Sequence, residues 1–235
     1  MDDTRASPPG RGLRLLGLLV VVVLIVLLWD TWIVYPLKIL VVFFHELSHG
    51  LAAVLTGGSI ERIELQAAEG GMAVTRGGSR FVILSAGYLG SLLLGGLLLV
   101  AAARSRHDRR ILAGLGVVLL GVTLLFVRPW FGFGMLFGLT TGAALLAAAR
   151  LLGSAAADIL LKVIGLTSCL YAVLDIKSDV LDRSELQSDA RMLAELTGLP
   201  TVVWGLIWIV VAVLATLGFL RAAAASPEPE ASPPA

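Results

Sequence analysis

His45-Glu46-Leu47-Ser48-His49 concentrates most of the chemistry this chain can perform. On a helix, residues four apart share a face, so His45 and His49 can present two imidazoles to one metal ion. Glu46 is rotated from them by about 100°, too far to ligate at the same vertex but placed to take a proton from a water at that ion. The chemistry so described is hydrolysis at Zn2+, with His45 and His49 as ligands and Glu46 as general base. The surroundings support it. Ile39-Leu40-Val41-Val42-Phe43-Phe44 precede the motif and Leu51-Ala52-Ala53 follow it, so the acid lies deep in an apolar run. An ionisable residue there costs about 2.5–3.5 kcal/mol even on the lenient insertion scale, which argues against a chance match.

A hydrolytic zinc site has three protein ligands and one open position. His107 is the only other histidine, and it sits in a polar loop. Asp175, Asp179 and Asp182 follow a late apolar run at i, i+4 and i+7, so they share a face if the helix persists. Asp175 lies closest to the apolar run and is the first candidate for the third ligand. Asp179, one turn outward, is the second.

These residues must be positioned by membrane-spanning elements. Hydrophobic residues make up 57% of the 235-residue chain and charged residues 15%, with a mean hydropathy of +0.92. A soluble domain carries roughly a quarter charged residues. The formal net charge of +1 gives no electrostatic case for nucleic acid, and the single cysteine, Cys169, rules out an internal disulfide framework. Leu15–Trp29 follows Arg11 and Arg14 as a signal sequence would, but no small-residue cleavage site comes after it, so a retained first span is expected. Seven candidate spans run near 13–30, 34–56, 81–103, 111–128, 131–150, 155–177 and 200–221, each close to the ~20 residues a bilayer core requires. The expected fold is an all-α polytopic membrane protein of six to seven transmembrane helices, its membrane domain covering 13–221. A polar tail (1–12) precedes it and a Pro- and Glu-rich tail (222–235), expected to be disordered, follows.

Two intervening segments carry structure. In 58–80, Ile63, Leu65 and Ala67 alternate with Arg62, Glu64 and Gln66, and Gly-Gly pairs punctuate the run, which predicts a short β-hairpin after the HExxH helix. Residues 184–197 read as an amphipathic surface helix, with Ser184 and Gln187 at capping-box spacing, Leu186, Leu193 and Leu196 on one face, and Gly198 at the end. Gly87, Ser91 and Gly95 form a small-residue stripe that lets helices approach closely, and Asp158 with Lys162 reads as an i, i+4 ion pair. Basic residues favour a cytosolic N-terminus, although the Arg104–Arg110 cluster opposes it.

The apolar HExxH, the glycine-punctuated hairpin and the late Leu174-Asp175 resemble the site-2 protease family of intramembrane zinc metallopeptidases, over most of 34–210. The likeness is to its compact bacterial members. It implies zinc held by His45, His49 and Asp175, Glu46 as general base, a membrane-protein substrate such as a transmembrane helix, and a place in the bacterial cytoplasmic membrane. Two departures stand out. Ile176 replaces the Gly of the family's Leu-Asp-Gly, and Ala86-Gly87-Tyr88-Leu89-Gly90-Ser91 lacks the Pro and Asn that follow Ala-Gly in many members. They keep two alternatives open: a degenerate membrane scaffold, and a metal or proton transporter using the same polar groups. An intact Glu beside two His favours hydrolysis. An exposed edge at Ile60–Gln66 is the expected place for an extended substrate to add as a strand.

Overall fold

The computed structural model describes residues 10–182 and 187–225. Its order is α1 (Arg11–Leu27), α2 (Tyr35–Leu55), β1 (Ser59–Gln66), β2 (Gly70–Arg76), α3 (Arg80–Arg104), α4 (Asp108–Phe126), α5 (Phe133–Leu151), α6 (Ser154–Lys177), a π-helical turn (Ser178–Asp182), α7 (Asp189–Thr197) and α8 (Thr201–Ala224). Six helices, α2 to α6 and α8, are long and apolar enough to cross a membrane, and α1 is shorter at 17 residues. The architecture is therefore all-α and polytopic with one two-stranded hairpin. The C-terminal tail expected from 222 starts later, because α8 continues to Ala224. Residues 1–9 and 226–235 of the two tails lie outside the described residues.

The helix bearing the HExxH is the hub. Pro36 opens α2, where its missing N–H costs nothing. Of the most apolar stretch of α2, 78% is buried, against 17% for α8, so α2 is enclosed by protein while α8 faces outward. α3 and the hairpin pack against α2, α6 packs against α3, and α4 pairs with α5. The small-residue stripe of α3 serves two neighbours. Gly87 backs onto the histidines of α2, while Ser91 accepts a hydrogen bond at its carbonyl from Ser168 Oγ of α6 (2.7 Å). Asp158 and Lys162 form the expected pair at 2.7 Å, and Cys169 is core.

The expected hairpin forms, pairing Ile63 with Ala73 and Leu65 with Gly71, with an irregularity between Ile60 and Arg62. Ile63 and Leu65 are buried. The hairpin folds back along α2: its base is tied to the C-terminal end of that helix by Ser79 N–H donating to Thr56 Oγ1 (2.9 Å). Its tip reaches the opposite end, where Tyr35 donates to the Ala67 carbonyl (2.8 Å) and Lys38 pairs with Glu69 (3.1 Å). A strand pair at membrane depth is tolerated only where its edges meet protein or a water-filled cavity. One edge meets protein and the other borders a cavity. The outer edge of β1 is engaged, since Arg128 N–H donates to the Ile63 carbonyl (2.9 Å) and Ile63 bridges Val127. The expected free edge at Ile60–Gln66 is thus corrected: the open edge belongs to β2, which lines a cavity of about 910 Å³.

Candidate metal centre

His45 and His49 stand on the same face of α2, with ring centroids 4.7 Å apart. His49 Nδ1 donates to the Ile83 carbonyl of α3 (2.7 Å), which fixes the tautomer and leaves Nε2 free to ligate. The ring of His45 is held edge-on by Tyr88, at 4.8 Å and 84°. Gly87 makes this approach of α3 feasible. A β-carbon there would sit 2.6 Å from His49 Nε2 and closer still to His45 Nε2, so any side chain would occupy the space between the imidazoles.

The third donor is Asp189. Its Oδ2 lies 3.0 Å from His45 Nε2 and 3.1 Å from His49 Nε2. Among the described residues these three are the group of His, Cys, Asp and Glu donors that converge closely enough for one ion. Ligands about 2.0–2.1 Å from a tetrahedral zinc are separated by roughly 3.3 Å, so the donor set and its spacing fit such an ion. Burial alone would push the Asp189 carboxyl upward. The imidazoles, His49 foremost, outweigh burial and hold it well below the usual carboxylate range.

The sequence pointed instead to Asp175. The α-helix ends at Lys177 and gives way to a π-helical turn over Ser178–Asp182, and although Asp175 and Asp179 both line the cavity, neither joins the converging donors. Asp175 lines the cavity and acts electrostatically on His45 and Tyr88 without joining the donor cluster. Asp179 accepts a hydrogen bond from Tyr88 Oη (2.7 Å). The chain then returns as α7, capped by Ser188, whose side chain accepts from Arg191 N–H (3.3 Å). Ser184 lies outside the described residues, and Gln187 precedes the helix rather than belonging to it. Asp189 is the first residue of α7 and is buried with Ala190 and Leu193. A signal for it existed. Asp189, Leu193 and Leu196 stand at i, i+4 and i+7, so an acid occupies the apolar stripe of an amphipathic helix.

Glu46 is 5% exposed and lies against β2. A β-carbon at Gly71 would come within 2.5 Å of Glu46 Oε1, so the carboxylate occupies room that only glycine leaves. The Ala73 amide also acts on it. His45, Glu46, His49, Asp189 and the β2 edge share one cavity wall. Glu46, the three converging donors and the β2 edge therefore face the same space, with the Ala73 amide of that edge bonded to Glu46.

Fold and site define an integral membrane protein with a buried two-histidine, one-aspartate site able to hold a metal ion. The family model described as Peptidase M50B-like matches residues 18–219, and the chain belongs to that family, the site-2 protease family. No curated protein and no solved structure matches the chain.

Proposed function

We propose that the protein is an intramembrane zinc endopeptidase, with His45, His49 and Asp189 as ligands and Glu46 as general base. The observation that carries this reading is the convergence of three donor atoms beside a buried glutamate on a cavity bordered by strand β2. Zinc bound there would supply a Lewis acid and bring the pKa of a water toward roughly 7. Glu46 is placed to accept the proton of the attacking water and would return a proton to the departing amine. The setting we infer is a bacterial cytoplasmic membrane with the N-terminus cytosolic, following the excess of basic residues on that side. The direct test measures zinc in the detergent-purified protein. About one ion per chain is expected, lost in His45→Ala, together with chelator-sensitive cleavage of a co-expressed membrane substrate. Wild-type protein purified without zinc and indifferent to chelator would overturn the reading.

The substrate we infer is a locally unwound transmembrane segment, because a peptide bond inside an intact helix has its amide and carbonyl engaged. β2 suits an extended segment. Ile63 directs its carbonyl to Arg128, away from β2, so its partner Ala73 directs its own backbone groups to the opposite, cavity side, where its amide is bonded to Glu46. Alternation turns the backbone groups of Gly71 and Thr75 to that side too. A substrate strand adding there runs past Glu46. Thr75→Pro removes one outward donor without breaking the β1–β2 ladder. We expect at least a roughly tenfold loss of cleavage with zinc content unchanged, while Thr75→Val cleaves normally. Equal cleavage by both variants rejects docking at this edge.

A further inference from the structure

A second cavity, of about 510 Å³, opens where α4 begins, α5 ends and α6 begins. Arg106, His107, Arg109, Arg110 and Arg150 line it, and no acid does. The acids nearby are otherwise engaged or turned in: Asp158 pairs with Lys162, and Asp108 is buried and absent from the lining. Arg109 has a structural task. Its Nε donates to the Ala149 carbonyl and its Nη2 to the Arg150 carbonyl, both at 2.8 Å, which ties the start of α4 to the end of α5. Arg106, Arg110 and Arg150 make no ion pair among the described residues. Three guanidinium groups thus gather around one space without a countercharge.

The depth of this cavity identifies the anion. Three candidate membrane spans end around it, which places it at the level of lipid headgroups rather than in bulk solvent. Its inner wall is apolar, formed by Ala113, Leu146 and Ala149, so a ligand with a charged head and a greasy body fits both halves. We propose that this cavity binds the phosphate of an anionic phospholipid, with Arg106, Arg110 and Arg150 as the phosphate-contacting groups and Leu146 against the glycerol and first acyl carbons. Arginine suits the task because its planar fork meets phosphate oxygens in pairs.

Native mass spectrometry of the detergent-purified chain tests this, with phosphatidylglycerol and phosphatidylcholine added in equal amounts. Wild-type protein is expected to retain phosphatidylglycerol at least roughly tenfold more than phosphatidylcholine, since three basic groups near a lipid surface, each contributing about a factor of five, set an upper bound of roughly 10². The triple variant Arg106→Gln, Arg110→Gln, Arg150→Gln should bring the ratio close to one. Arg109 is left in place because the fold uses it. Should the triple variant misfold, Leu146→Trp keeps every charge and fills the apolar wall, and it too should lose the retained lipid. A wild-type preference that survives in a folded variant overturns the proposal. So does complete displacement of the lipid by millimolar inorganic phosphate, which would make the ligand a soluble phosphate.

Discussion

Replacing Glu46 by glutamine is expected to leave the metal content intact and to lower peptide-bond cleavage by roughly 10²–10⁴-fold, the range a positioned general base contributes. Glutamine matches the shape of glutamate and leaves the imidazoles of His45 and His49 untouched, so binding and catalysis separate cleanly. The packing around the residue sharpens the test. Gly71 leaves room for the carboxylate and for nothing larger, so an isosteric replacement is the one least able to disturb β2. Zinc content and cleavage of a co-expressed membrane substrate are measured on the same preparation. Loss of zinc in Glu46→Gln would make the residue a support of the metal rather than the base. Undiminished cleavage would remove it from the mechanism altogether, and with it the preference for hydrolysis over a scaffold or a transporter.

The parts of this protein that could be read from its sequence are those governed by local periodicity. Two imidazoles four residues apart need only one helix to meet, and the long apolar runs announce their own solvent. The hairpin follows from alternation, and Ile63 and Leu65 are indeed buried. What local periodicity does not carry is which distant element completes an arrangement. The bond between His45 and Asp189 spans 144 residues, and a π-helical turn lies just ahead of the segment that makes it. Ranking the acids of one segment by their closeness to the apolar run therefore selected Asp175. The open edge was misplaced for the same reason, because Val127 and Arg128 occupy β1 from a segment far along the chain. Tyr88 shows the converse. At the sequence level it is only a departure from a family pattern, whereas in the structure it braces His45 and ties Asp179 to the cavity wall.

Asp189→Asn carries the other large effect. If Asp189 completes the site, its amide variant should purify with little or no zinc, because a neutral oxygen replaces the anion that balances the charge of the ion. The change is nearly isosteric, so α7 should remain docked through Ala190 and Leu193, both fully buried. Circular dichroism and the gel-filtration profile are expected to match the wild type, separating ligand loss from unfolding. The same substitution at two other acids provides the contrast. Asp175→Asn should keep the metal, since Asp175 lines the cavity without joining the three converging donors. Asp179→Asn should also keep it, with a modest loss of affinity through the slackened Tyr88 that steadies His45. Zinc lost in Asp175→Asn and retained in Asp189→Asn would return the third ligand to α6 and leave Asp189 as a countercharge to the imidazoles. Zinc lost only in Asp189→Asn would establish that the ligand comes from the short helix after the last turn of α6. The metal would then join α2 to α7, and any movement that draws α7 away from α2 would open the site.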